Sequence, residues 1–335
     1  MTAILFQIIR KSFTGASLAA IALTMSLSTQ AAETMKIGTV VWAGYGPFYV
    51  ADKLDLYKDY GVKVELQFFN DPALIPSAMA GGAVDGGMLT YDQIVGSVAK
   101  GLSQKVVMPI DFSNGGDAIV ADMSIKSVKD FQGKKVGYNP LSPSDFLLAY
   151  ALQSNDMGEK DIQVVNMTPE AIPSAMASGS LPVGVTYEPN VSQIIGMGDG
   201  QQFHVVYSSK DAPGLITDVL AFNEDMIGEH REAITGIIKG YLAGLAYMKD
   251  HPEESAAIIG KVLGVSAEEA IAQMEGVYNI PLDEMPKNFR ESDDTLSFYG
   301  SGSVIAGLLK KNNQIPMIPD FADTFDASLV QALTK

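Results

Sequence analysis

Three observations predict an α/β fold built as two lobes. Short β-rich runs alternate with helical segments over the first two-thirds of the chain, the pattern of parallel sheets wrapped by helices on both faces. The 335 residues exceed what one hydrophobic core usually holds. A hexapeptide also recurs: Ile75 to Ala80 and Ile172 to Ala177 both read Ile-Pro-Ser-Ala-Met-Ala.

Taken in order, residues 36–42 read as the first strand. Gly44-Tyr45-Gly46 forms a turn, and Pro47 suits the first position of a helix that runs to about residue 60 and ends at Gly61. Val62, Val64, Leu66 and Phe68 then line one face of a strand over 62–69. Further strands are expected over 84–89, 106–112, 118–123, 134–138, 163–167, 183–187, 204–207 and 217–222, with helices between most of them. Beyond Asn223 the chain turns mostly helical, over 232–250, 252–263 and 266–278, and Ser266 with Glu269 spells a capping box.

The repeat extends past the hexapeptide. With one single-residue gap, the first copy ends in Thr90-Tyr91-Asp92 and the second in Thr186-Tyr187-Glu188. Chance recurrence in Ala-rich helices is the alternative. Lobes of like topology would each run helix, Gly-containing turn, strand, then a Thr-Tyr-acid loop. Loops at the carboxyl ends of strands are where open α/β sheets bind ligands, so facing lobes would bring both to one cleft.

The first residues read as an export signal. Arg10 and Lys11 precede an apolar run over 15–27, Thr29-Gln30-Ala31 offers small residues at the positions a signal peptidase reads, and no Asp or Glu occurs before Glu33. The run is shorter than the roughly 20 residues that span a bilayer. Cleavage is expected after Ala31 or Ala32, giving a signal peptide over 1–32 and a periplasmic location. With no Cys, disulfides, thiolate metal sites, cysteine nucleophiles and a lipid-anchored terminus are excluded. Loss of the two leader cations moves the formal charge from −16 to −18. Such a surface repels nucleic acid and anionic lipid and suits a soluble monomer, although solubility alone would also account for it.

Several segments, in this order and spacing, carry a resemblance to a known family. They are Gly44-Tyr45-Gly46-Pro47-Phe48-Tyr49-Val50-Ala51, Leu56-Tyr57-Lys58-Asp59-Tyr60-Gly61-Val62-Lys63-Val64-Glu65, Ala80-Gly81-Gly82-Ala83-Val84-Asp85-Gly86-Gly87, Ser127-Val128-Lys129-Asp130-Phe131-Gln132-Gly133-Lys134-Lys135-Val136 and Thr186-Tyr187-Glu188-Pro189. The chain resembles the nitrate/sulfonate/taurine family of ABC-importer binding proteins, which also includes pyrimidine-precursor receptors. The resemblance implies a type II periplasmic-binding-protein fold: two doubly wound α/β lobes joined by two crossover strands, here at about 118–123 and 217–222, with a helical C-terminal portion. Lobe 1 would comprise 33–118 and 219–335, and lobe 2 residues 119–218. It implies a small-molecule ligand and permease partners in the inner membrane. Pro182 stands where an Asp is usual, and Tyr187-Glu188 where Trp-acid is common.

Candidate ligand-binding residues follow from position and chemistry. Trp42, Tyr45 and Gly46 surround a turn where glycine allows close backbone approach and an aromatic ring can wall a ligand or cation; Trp42 could equally be core. Ser142 as N-cap, Pro143 at N1, Ser144, and Asp145 closing a capping box start a helix whose free N–H groups could hold an anion or merely be capped. Ser113 and Asn114 lie in the loop before the first crossover. Thr90, Tyr91, Asp92, Tyr187, Glu188 and Asp218 complete the set. Asp92, Asp111, Asp117, Asp145, Glu188 and Asp218 give this region an acid surplus with almost no Lys or Arg. A plain inorganic anion needs opposite charge or many donors. An amine-bearing or nitrogen-rich organic solute is therefore expected, such as an amino-sulfonate, an aminopyrimidine or a guanidine-like cation.

No enzyme signature appears. His204, His230 and His251 stand alone, and neither a Gly-x-Ser-x-Gly elbow nor a phosphate-binding loop occurs. No catalytic residue, cofactor or metal is expected. A pyrimidine-precursor synthase of the same fold, or a partner of a membrane sensor, are the alternatives to an importer subunit.

Overall fold

The computed structural model describes residues 32–335, so the expected signal peptide lies, except for Ala32, outside the described residues. Eleven strands form two sheets among these residues. The strands are β1 (Glu33–Thr39), β2 (Val62–Phe68), β3 (Gly86–Thr90), β4 (Gln104–Ser113), β5 (Asp117–Asp122), β6 (Lys135–Tyr138), β7 (Gln163–Asn166), β8 (Val183–Tyr187), β9 (Phe203–Ser208), β10 (Thr217–Asn223) and β11 (Val277–Asn279). The helices are α1 (Gly46–Lys53), α2 (Ile75–Ala80), α3 (Tyr91–Ala99), α4 (Pro143–Gln153), α5 (Ile172–Ala177), α6 (Asn190–Ile195), α7 (Glu224–Glu229), α8 (Arg231–Asp250), α9 (Pro252–Leu263), α10 (Ala267–Met274), α11 (Phe298–Lys311) and α12 (Ser328–Leu333). None of them is long and apolar enough to cross a membrane.

The first sheet has the order β11-β4-β10-β3-β1-β2 and the second β7-β6-β8-β5-β9. Wholly parallel sheets, the sequence expectation, do not form. β10 runs antiparallel to β3 and β4, and β5 antiparallel to β8 and β9. Each of these two strands enters its sheet directly from the other, which reverses its direction. The first crossover is residues 114–116 and the second residues 209–216. They are tied together: the Ser113 and Ser209 hydroxyls lie 2.8 Å apart, and the Gly115 N–H donates to Ser209 Oγ at 2.6 Å.

The repeated hexapeptide has a packing reason. α2 lies over Gly87 of β3 and Gly38 of β1, which are paired neighbours, and α5 lies over Gly184 of β8 and Gly137 of β6, paired in the same way. A Cβ at Gly87 would come within 2.7 Å of Ile75 Cγ2 and 2.8 Å of Met79 Sδ. At Gly184 it would meet Ile172 Cγ2 at 2.4 Å and Met176 Sδ at 2.7 Å. The same Ile and Met, one turn apart on the helix, fill the same glycine hollow twice.

Three local expectations are corrected. The helix expected to reach residue 60 stops at Lys53, because Asp55 adopts φ +55 and the chain resumes as a 3-10 turn over Leu56–Tyr60. The helix expected over 266–278 ends at Met274, and Val277–Asn279 instead adds an edge strand to β4. The Ser266–Glu269 capping box is present. Ser142 caps α4 by accepting from Ser144 N, but Asp145 closes no capping box: its Oδ2 accepts from Leu141 N at 2.9 Å and from Gln314 Nε2 at 2.7 Å.

That last bond belongs to a C-terminal tie between the sheets. α11 packs against α3 of the first sheet's side, while Lys311 Nζ donates to Gln153 Oε1 of α4 at 3.0 Å. Gln93 of α3 donates to Pro72 O at 2.9 Å and to Leu141 O at 3.4 Å.

Candidate ligand-binding site

Where the two crossovers meet, residues of both sheets enclose a cavity of about 20 Å³, room for roughly one water molecule. Its walls are Val40, Trp42 and Thr90 from the first sheet's side, Asp117, Pro143 and Tyr187 from the second's, and Asp218 at the start of β10. Trp42 follows β1, and its indole lies against Gly116 of the first crossover, where a Cβ would meet Cη2 at 2.4 Å. The ring meets Tyr187 edge-on, with centroids 6.0 Å apart. Trp42 Nε1 donates to Asp111 Oδ1 at 3.3 Å, which leaves Asp111 Oδ2 buried and unpartnered. Gly44 permits this arrangement, since a Cβ there would sit 2.3 Å from both Asp111 Oδ2 and Trp42 Nε1.

The acids here are desolvated. Asp111, Asp117 and Asp218 are 0%, 3% and 5% exposed. Asp218 accepts from the Tyr45 hydroxyl and is paired across the strands with Asp111. Burial, and then the neighbouring Asp111 charge, hold the Asp218 carboxyl well above the usual carboxylate range. Burial also raises Asp111, and pushes Asp117 up to about 7 and Asp92 to about 6. No Lys, Arg or His of the described residues forms an ion pair with any of them; the ion pairs involve Asp55, Glu65, Glu224, Glu33, Glu229 and Asp326. An unneutralised carboxylate in a dry site is costly, so the arrangement favours either protonation or a bound positive group.

The candidates from sequence divide. Trp42, Thr90, Tyr187 and Asp218 line the cavity, and Tyr45 stands behind Asp218. Tyr187 Oη is buried without a partner. Gly46 faces away, against Ile259 of α9. Tyr91 turns into the core: its hydroxyl bonds Thr324 Oγ1 at 2.7 Å and its ring lies 4.5 Å from Phe298. Asp92 lines a separate cavity of about 140 Å³ that also contains Lys100 and Gln314. Both Glu188 oxygens accept from Ser192, at 3.0 Å from N and 2.8 Å from Oγ, holding the first turn of α6. Ser113 accepts from Asp117 N at 3.0 Å, whereas Asn114 is exposed. Ser142 donates to Asn139 O at 2.6 Å, and Ser144 Oγ is buried without a partner. Val40 and Pro143 are wall residues that the sequence did not mark as ligand contacts, and Asp117, counted there only among the acids of the region, is a third wall residue. Larger hollows lie elsewhere, including a groove of about 930 Å³ between β2 and α9. Among the described residues, none of the unpartnered buried polar atoms belongs to a residue lining that groove.

Two mixed sheets joined by paired crossovers, with buried polar walls between them, define a bilobed periplasmic-binding-protein fold. The crystal structure of the periplasmic aliphatic sulphonate binding protein SsuA from Escherichia coli superposes with a TM-score of 0.69 at 18% identity, covering 89% of this chain and 99% of that one. The ligand-binding component of an ABC-type import system from Staphylococcus aureus gives 0.71 at 16% identity, over 89% of this chain and 98% of its own. A protein of Brucella abortus named as a binding protein is 24% identical over 249 residues, 72% of this chain and 75% of that protein. Residues 42–255 match the model of one family, and the chain belongs to it: NMT1/THI5 like.

Proposed function

We propose that the chain is the solute-binding component of an ABC importer, a periplasmic monomer that captures a small nitrogen-containing organic solute between its lobes and delivers it to a membrane permease. Lobe 1 then comprises the first sheet with the C-terminal helices, and lobe 2 the second. The observation that carries this reading is the cavity at the crossovers, walled from both sheets by buried polar groups that include Asp117, Asp218 and the unpartnered Tyr187 hydroxyl. A ligand bridging the two walls would favour the closed arrangement, which is how binding and hinge closure are coupled. The names of the relatives support an import role. The acid walls favour a nitrogen-rich solute over the sulphonate in SsuA's name, because a sulphonate would face Asp117 and Asp218 without a cation.

A pyrimidine-precursor synthase is the second reading, favoured by the family's name. Absence of any Cys and the isolated histidines argue against it. Mass spectrometry of small molecules released from the purified protein tests the proposal. A stoichiometric organic solute, returned unchanged after incubation, is expected; a chemically altered one would favour the synthase. Small-angle scattering should show compaction on readdition of the solute, and identical profiles would remove the hinge mechanism.

A further inference from the structure

The two halves correspond in a register that the sequence repeat hides. Gly38 pairs with Gly87 and Gly137 with Gly184, each pair under its copy of the hexapeptide. Ile75 to Ile172 is an offset of 97, and the same offset carries Gly87 onto Gly184 without a gap. It therefore carries Thr90 onto Tyr187, the last residues of β3 and β8. The strand returning from the opposite lobe places Asp218 beside Thr90 and Asp117 beside Tyr187. All four line the one cavity. The acids are thus counterparts, one delivered by each crossover strand.

We infer that Asp117 and Asp218 are the two jaws of a clamp for a small organic cation with N–H donors on at least two nitrogen atoms, of the amidine, guanidine or short diamine class. This rests on the solute-receptor reading and specifies its ligand. A group with one donor end would leave the second carboxylate desolvated and unpaired. A planar or two-ended cation, admitted by parting of the lobes since the cavity of about 20 Å³ holds roughly one water, can give each carboxylate its own charge-assisted bond. Independent of the acids, Tyr187 Oη is buried without a partner, at 4% exposure, and Tyr187 forms a wall of the cavity. With Trp42 it supplies the aromatic surfaces that cations favour.

The test is calorimetric titration of the purified protein with guanidine, acetamidine, 1,3-diaminopropane, methylamine and methanesulfonate. At least one of the cations with two or more nitrogen atoms should bind, with methylamine at least about tenfold weaker. Asp117→Asn and Asp218→Asn should each weaken that binding by about thirtyfold or more, the typical loss when one side of a buried charge pair is removed. Thermal melts establish that the variants fold. Should either fail to fold, the wild-type ranking decides, together with tighter cation binding at pH 8 than at pH 6. Equal binding of methylamine, no effect of Asp117→Asn, or no binding by any cation would overturn the clamp. If methanesulfonate or a co-purified solute binds regardless of both substitutions, the receptor reading stands and the clamp falls. If no small molecule binds or co-purifies, both fall.

Discussion

Raising pH should destabilise the ligand-free protein, and Asp117 sets the scale. Its carboxyl moves from the ordinary 3.8 to about 7 because burial disfavours the charged form, and Asp92 and Glu188 add repulsion. A folded-state value above the unfolded one means the folded protein holds the proton more tightly. The associated stability is fully present below about pH 4 and is lost as pH rises through about 7. Between pH 5 and pH 8 this one group accounts for on the order of 2–3 kcal/mol, worth about 2 °C of melting temperature per kcal/mol at this chain length. Asp92, raised to about 6, and the raised Asp111 and Asp218 act in the same direction. Tyr45, Asp111 and Trp42 face Asp218, while Ser113 and Tyr187 adjoin Asp117. Differential scanning fluorimetry of ligand-free protein from pH 5 to pH 8 should therefore show a fall of about 5 °C or more. Asp117→Asn should flatten the slope, which separates this local effect from general repulsion among surface acids. A flat wild-type profile, or a slope that Asp117→Asn leaves unchanged, would refute the electrostatic account of the cavity.

Other consequences follow from packing and from the interlobe ties. Gly184→Ala drives a methyl into Ile172 and Met176 and should cost about 1–3 kcal/mol, seen as a lower denaturation midpoint; Gly87→Ala, with slightly longer approaches, should cost no more. Wild-type stability in Gly184→Ala would show that the hollow is not filled as described. The double variant Lys311→Ala, Gln314→Ala removes two bonds between the C-terminal segment and α4. Scattering should give it a larger radius of gyration than wild type, and an unchanged radius would mean that these bonds do not restrain the lobes. Tyr45→Phe deprives Asp218 of its hydroxyl donor and should steepen the loss of stability with pH, checked by the same melting series.

Most of the fold was legible because the hydrophobic periods and turn residues were unambiguous. The strand over 183–187 and the helix over 252–263 fall where the sequence puts them, and Ser142 caps α4 as read. The site was less legible, for a reason internal to strands. Aligning Thr90-Tyr91-Asp92 with Thr186-Tyr187-Glu188 needs a one-residue gap, and in a strand a one-residue slip exchanges the faces. In the true register Thr90 answers Tyr187, so Tyr91 goes to the core beside Phe298, and Glu188 is left to hold α6. In sequence Asp117 is one acid among six in the region; its position becomes visible only once Tyr187 lies beside it. How tightly the lobes meet depends on rigid-body placement, which leaves no periodic trace in the chain.

The tied crossovers also fix a lever. Ser113, Gly115 and Ser209 bind the two connecting segments side by side, so rotation of one lobe on the other turns about that seam. Asp117 stands one residue beyond Gly116, and Asp218 is the second residue of β10. Both acids lie close to the pivot, where displacement per degree is smallest, whereas the rim of a cleft away from that seam moves most. Swinging the lobes apart would wet the two carboxylates long before it separated them. Electrostatic strain between them would then persist in the open form, and the rim would move furthest while feeling the ligand least.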